Sequence, residues 1–327
     1  MSRFISYVLF IFLEIILIII IIFLSIKIND LKNSQIKGIQ YVTKIDKNYL
    51  EFSSRPDTLK YFYEPKSNEI FILHNDWLGF DPKYVVNADT LFEEKDYSTV
   101  KPVDTYRILS IGDSFVFGQF VDEKRNFSKL LDIKLNNELR CKKISKFEVI
   151  NLGVGGYDIE YTVNRFMKRG IKYSPDLVIW LISDWNFNKI NEYEIPLIEE
   201  YKKEDFKIYN SVTKIYEAPT KARKYILSKY GLENIIQYQL NTLQKLNETY
   251  KGKILILTFP SIHKIFNDLL TNFVKNNSFY TYYSNLFDIN KDAKFLFTDN
   301  HPNEEGHKKI AEDIFQYLKK NYLTDCN

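Results

Sequence analysis

From residue 106 onward, short apolar runs alternate with longer stretches whose apolar positions recur every three or four residues. The runs at 107–111, 147–152, 175–182 and 253–260 predict strands, with a short fifth at 294–297. The periodic stretches at 126–139, 159–169 and 303–322 predict helices, the first capped by Asn126. Strands alternating with helices predict a parallel α/β sheet, and the run at 175–182, apolar on both faces, predicts its centre. A Lys- and Glu-rich, mostly helical insertion at 187–251 separates the third and fourth strands. Such insertions at strand ends commonly shape substrate pockets, and a solvated helical cap with no specific role fits the pattern equally well.

The chain ahead of this pattern differs. Residues 4–26 form a nearly unbroken apolar run, long enough to span a bilayer, which takes about 20 such residues. It leaves through 24–30 without a small-residue cleavage site, so the reading is an uncleaved anchor over 1–28 in contact with lipid. Glu14 interrupts the run at a cost if ionised. Arg3 on one side and Lys27, Lys32 and Lys37 on the other give the positive-inside rule nothing to choose between. Residues 29–105 read as a polar and aromatic connector with a strand-like piece at 69–73 and several turn signals. It is expected to pack as an extension on the main domain, 106–327.

Composition narrows the function classes. The formal net charge of +3 over 327 residues lacks the basic excess of a nucleic-acid binder. Cys141 and Cys326 have neither metal nor redox spacing and are expected to stay unpaired, one a buried thiol and one a tail thiol. Richness in Ile, Lys, Asn, Tyr and Phe is discounted, because AT-rich coding produces the same bias.

Chemistry gathers at the predicted strand ends, which in an open parallel sheet face one crevice. Ser114 follows the first strand after a break at Gly112; Gly155 and Gly156 follow the second; Ser183-Asp-Trp-Asn186 follows the third; Asp299-Asn-His301 follows the short fifth. A serine hydroxyl needs a base to act as a nucleophile, which His301 can supply. The imidazole in turn needs an acceptor to fix its tautomer, and Asp299 is placed for it. An oxyanion needs donors, for which the candidates are the N–H groups of Ser114 and Gly156 and the side-chain amide of Asn186. Gly153 or Gly155 could replace Gly156, and Asn188 could replace Asn186. His263 reads as a loop residue and His307 as a solvated helix residue; Asp299, His301 and His307 make a weak metal pattern. Neither a metal nor an organic cofactor is expected.

These blocks resemble the SGNH hydrolases, the GDSL esterase/lipase superfamily. Gly112-Asp-Ser114 matches the first block, Asn151-Leu-Gly-Val-Gly-Gly156 resembles the second, and His301-Pro-Asn303 with Gly306 and His307 resembles the last. The match spans 106–322. Asn75-Asp-Trp-Leu-Gly-Phe80 is similar to a turn found before the first block in bacterial envelope-polysaccharide members. Two departures stand out: the usual Gly-x-Asn-Asp block reads Ser183-Asp-Trp-Asn-Phe187, and the acid stands two residues before the histidine, with Thr298 at the usual place. The resemblance implies a three-layer, flavodoxin-like α/β fold with Ser114, Asp299 and His301 as triad. It implies an ester substrate, an O-acetyl group on a cell-envelope carbohydrate, with the domain outside the cytoplasm. The alternatives are acyl transfer by the same triad, action on long acyl chains, and a catalytically silent polysaccharide-binding relative.

Overall fold

The strand Leu177–Ile182 is buried along its whole length, which demands cover on both of its faces. Leu177, Ile179 and Leu181 point into one apolar layer, and Val178, Trp180 and Ile182 into the other. This is the period-2 alternation of a pleated strand. The computed structural model describes residues 50–52, 59–73, 78, 80–204, 217–258, 263–283, 293–297 and 299–326. The predicted anchor and most of the turn at 75–80 lie outside them. Among the described residues no helix is long and apolar enough to cross a membrane.

Strands are numbered along the chain: β1 Leu50–Phe52, β2 Tyr63–Pro65, β3 Ile70–Ile72, β4 Lys83–Val85, β5 Thr105–Ile111, β6 Lys146–Asn151, β7 Leu177–Ile182, β8 Ile254–Thr258 and β9 Tyr280–Tyr283. The last five form one sheet in the order β6-β5-β7-β8-β9, every neighbouring pair parallel. This is the flavodoxin-like order, in which the chain reverses direction across the sheet between β5 and β7 and opens a crevice at their carboxyl ends. The helices are α1 Ser114–Phe117, α2 Phe127–Glu138, α3 Ile159–Arg165, α4 Asp184–Phe187, α5 Asn191–Glu204, α6 Glu217–Tyr230, α7 Leu232–Thr249, α8 Lys264–Lys275 and α9 Glu304–Asn321. Leu131 and Leu135 of α2 with Ile310, Ile314 and Leu318 of α9 cover one face of the sheet. Ile159 and Val163 of α3, Leu243 and Leu246 of α7 and Phe266 and Leu270 of α8 cover the other.

Two expectations are corrected. The fifth strand is β9, and the stretch expected to supply it turns through a 3-10 helix at Ala293–Phe295. Leu296 then makes a single bridge to Pro302, so this stretch begins a tight turn and cannot extend into a ladder. Cys141 and Cys326 are joined as a disulfide across 185 residues, their Cα atoms 4.2 Å apart. The chain following α9 runs antiparallel past the end of α2, a meeting that sequence spacing does not disclose.

The described residues between 59 and 92 lie against the sheet domain. Leu59, Tyr61, Phe62, Tyr63, Tyr84, Val86 and Phe92 share an apolar cluster with Phe117, Val154, Tyr157, Tyr161 and Ile195. Polar ties fix the contact. The Glu192 carboxylate accepts from the backbone N–H of Lys60 (3.0 Å) and Tyr61 (2.8 Å) and from the Tyr161 hydroxyl (2.7 Å). Buried Glu64 pairs with buried Arg165 at 2.7 Å.

Candidate active site

β5 ends at Ile111, and Gly112 turns the chain with φ +150°; a Cβ there would come within 2.6 Å of Val116 Cγ2 and 2.8 Å of the Leu181 carbonyl oxygen. Asp113 caps the one-turn helix α1, its Oδ1 accepting from Phe115 N–H at 3.0 Å. Ser114 is therefore the first helical residue, a position whose N–H has no partner within the helix.

The base arrives on a turn that its own residue types build. Phe297 N–H donates to the His301 carbonyl (2.8 Å) and Asn300 N–H to the Phe297 carbonyl (3.0 Å). Asn300 has φ +69°, a left-handed conformation that asparagine tolerates better than most residues. The turn sets Asp299 and His301 side by side. Asp299 Oδ1 accepts from His301 N–H at 3.1 Å, and its Oδ2 lies 2.8 Å from His301 Nδ1. His301 Nε2 then stands 2.9 Å from Ser114 Oγ. A carboxylate can only accept, so the neutral ring carries its proton on Nδ1 and offers the Nε2 lone pair to the serine hydroxyl. Phe115 and Phe120 flank the imidazole, with ring centroids 5.2 and 5.4 Å away.

Of the oxyanion candidates, the backbone N–H groups of Ser114 and Gly156 have no acceptor among the described residues, and Gly155 N–H has none either. Gly153 is excluded because its N–H donates to Asn151 Oδ1 at 2.8 Å. Gly156 has φ +85°, and a Cβ there would meet the Tyr63 hydroxyl at 2.8 Å. Asn186 faces the other way. It is 2% exposed, and its Nδ2 donates to Asp113 Oδ2 (3.1 Å) and to the Tyr157 carbonyl (2.9 Å). The expected role of Asn186 as an oxyanion donor is thus corrected, for a local reason. Ser183 and Asn186 form a capping box around α4, with Asn186 Oδ1 accepting from Ser183 N–H at 2.7 Å, which turns the amide inward. Asn188 is half-buried, and its Oδ1 has no partner among the described residues.

The inward groups form a buried polar cluster beneath the crevice. Burial pushes the Asp113 carboxyl up, an effect that Lys189 and the Asn186 amide partly offset. Burial pushes the Lys189 ammonium down, with Arg223 adding repulsion. Lys189 Nζ donates to the Gly156 carbonyl at 2.7 Å and Asn191 Nδ2 to the same oxygen at 2.9 Å. Lys189, Asn191 and Tyr63 carried no signal in the sequence pattern.

His307 is fully buried, where a solvated helix residue was expected. Its Nδ1 accepts from Phe127 N–H at 3.3 Å, and burial pulls its pKa down to about 3. His263 caps α8 and is exposed. Among the described residues no group of three His, Cys, Asp or Glu side chains is arranged to hold a metal ion.

A Ser–His–Asp hydrogen-bonded chain at the carboxyl edge of a parallel sheet is an arrangement able to carry acid–base and nucleophilic chemistry. No protein-family model matches the sequence, and no curated protein does. Among solved structures the chain is similar to the psychrotrophic esterase EstA from Pseudoalteromonas sp., with 16% identity over 65% of this chain and 97% of that one and a TM-score of 0.43. It is similar to a G-D-S-L family lipolytic protein from Desulfitobacterium hafniense, with 16% identity over 65% and 99% and a TM-score of 0.40. It is also similar to an acetyl-xylooligosaccharide esterase from Geobacillus, with 14% identity over 68% and 98% and a TM-score of 0.39.

Proposed function

We propose that this chain is a serine esterase of the SGNH type that removes an acyl group, an O-acetyl, from a cell-envelope carbohydrate. The observation that carries this reading is the unbroken chain Ser114 Oγ–His301–Asp299, at 2.9 and 2.8 Å, together with the Ser114 and Gly156 N–H groups, which have no acceptor among the described residues. Ser114 Oγ attacks the ester carbonyl while His301 Nε2 takes its proton. Asp299 holds the ring and stabilises the imidazolium. The N–H groups of Ser114 and Gly156 receive the oxyanion. Collapse expels the sugar alkoxide, which takes the proton from His301. Water, activated by the same imidazole, then attacks the acyl-enzyme and returns Ser114. A silent relative would have no use for this alignment, which favours the enzyme.

Trp185 supports a carbohydrate carrier. It is 56% exposed at the carboxyl end of β7, with the Arg223 guanidinium 4.6 Å from its ring centre. An exposed indole held at the crevice edge suits stacking on a sugar ring. The disulfide supports placement outside the cytoplasm, since such bonds persist in oxidising compartments. With it, the apolar run at 4–26 is read as an anchor holding the domain to the outer side of a membrane.

The experiment is turnover of p-nitrophenyl acetate and of an acetylated oligosaccharide by the full chain and by Ser114→Ala. Acetate release lost in the variant is the expected result. Absence of turnover together with absence of fluorophosphonate labelling at Ser114 would sink the esterase reading.

A further inference from the structure

The peptide unit joining Gly155 and Gly156 carries the Gly156 N–H at one end and the Gly155 carbonyl at the other. That carbonyl accepts a hydrogen bond from the Tyr63 hydroxyl at 2.8 Å. Tyr63 belongs to β2, outside the sheet domain and ahead of it in the chain, and it is 5% exposed. We infer that Tyr63 is a positioning residue for the oxyanion donor, so that the N-terminal extension is a working part of the site. This inference rests on the esterase reading above.

A peptide between two glycines is the easiest kind to rotate, because neither neighbour has a Cβ to oppose either sign of φ. Rotation of the 155–156 peptide would exchange the positions of its N–H and its carbonyl, presenting an acceptor to the oxyanion where a donor is needed. The Tyr63 hydroxyl opposes this by giving the carbonyl a buried donor on the inner side. Leaving that position would cost the Gly155 carbonyl its buried donor. The bond also polarises the peptide and strengthens its N–H as a donor. The following peptide is held the same way, the Gly156 carbonyl accepting from Lys189 and Asn191. Tyr157 N–H closes the turn onto the Val154 carbonyl at 3.4 Å. Consecutive carbonyls are thereby turned inward.

Tyr63 is itself firmly placed. Its carbonyl accepts from the Tyr157 hydroxyl, and its ring packs edge-on against Tyr157 and Tyr161, with centroids 5.1 and 5.7 Å away. The flanking Glu64 is anchored by Arg165, and Tyr61 N–H by Glu192. A second extension tyrosine, Tyr84, holds a different turn. Its hydroxyl donates to the Gly118 carbonyl (3.1 Å) and accepts from Phe120 N–H (2.8 Å), with no tie to the 155–156 peptide.

The test is Tyr63→Phe in the full chain, with Tyr84→Phe as the comparator that loses one extension hydroxyl elsewhere. Gly155-Gly156 is the single Gly-Gly pair in the sequence. A chain labelled with [1-13C,15N]glycine therefore gives one carbonyl-coupled amide signal, that of Gly156. The expected result is that Tyr63→Phe shifts or splits this signal while Tyr84→Phe leaves it in place. With it, kcat on p-nitrophenyl acetate falls about 10–100-fold at nearly constant KM, the pattern of lost transition-state stabilisation. An unmoved Gly156 signal, or wild-type kcat in Tyr63→Phe, overturns the inference and leaves the esterase reading standing. A wild-type chain without Ser114-dependent turnover overturns the esterase reading and the catalytic meaning of Tyr63 with it.

Discussion

Replacing Asn186 by alanine separates two accounts that predict similar energies in different places. The structure gives the side chain four buried partners: Asp113 Oδ2, the Tyr157 carbonyl, Ser183 N–H and Ser183 Oγ, at 3.1, 2.9, 2.7 and 3.0 Å. Asn186, Ser183 and Asp113 are all at most 5% exposed. Truncation removes this partner from a carboxylate oxygen, a carbonyl, an N–H and a hydroxyl, each loss costing about 1–3 kcal/mol when buried, while Asp113 keeps its bond from Phe115 N–H. Because a water molecule can enter the vacated space, the low end is appropriate, giving roughly 3–4 kcal/mol in all. For a domain of this size that is a fall in Tm of about 6–8 °C, at roughly 2 °C per kcal/mol. An oxyanion donor would behave otherwise: kcat would fall about 10²–10³-fold, with stability barely changed. The assay is thermal unfolding by circular dichroism together with kcat on p-nitrophenyl acetate well below the transition. A Tm drop near that size with kcat reduced less than about 10-fold is expected. An unchanged Tm with kcat down a hundredfold would falsify the inward placement.

Trp185→Ala should raise KM for an acetylated oligosaccharide several-fold while leaving p-nitrophenyl acetate unaffected; equal effects on both would remove the sugar-stacking role. Burial pushes the Glu93 carboxyl from its ordinary 4.5 up to about 7. A raised carboxyl stabilises the fold fully below pH 4.5 and loses that contribution as pH rises through 7. Glu93→Gln keeps an acceptor for Asn151 N–H, so unfolding in urea at pH 4.5 and pH 8 should show the variant gaining about 3 kcal/mol on the wild type. A gap that does not change with pH would contradict it. Cys326→Ser opens a closure of 185 residues, for which chain entropy gives a loss of up to about 5 kcal/mol. In the untreated wild type, alkylation without reductant should leave both cysteines unlabelled; labelling of either would refute the pairing.

Strands β5 to β8 were legible because their apolar runs have no other place to go than between two layers of helix, as the unbroken burial of Leu177–Ile182 shows. Strand β9 was hidden: Tyr280–Tyr283 is short and lies at the sheet edge with exposed Thr281 and Tyr283 interleaved among its inward residues, so no run of buried residues marks it. Ser114, Asp299 and His301 come together where the blocks placed them, since each block is a local turn at a strand end. Asn186 was misread because Ser183-Asp-Trp-Asn186 also spells a capping box, and the helix end used the amide. The contact of Tyr63 with Gly155 spans 92 residues and joins a hydroxyl to a backbone carbonyl, which accepts from any donor and therefore leaves no mark in residue type.

The 187 residues separating Ser114 from His301 have a consequence for how the molecule comes into being. Synthesis runs from the amino end, so the serine turn, the glycine turn and most of the sheet exist while the imidazole is still missing. Until α9 has emerged and seated Ile310, Ile314 and Leu318 on the sheet, the Ser114 hydroxyl has no imidazole held beside it. On the proposed mechanism, a nascent chain that has not yet seated α9 holds Ser114 without its base, and ester cleavage would begin only once His301 and α9 are in place.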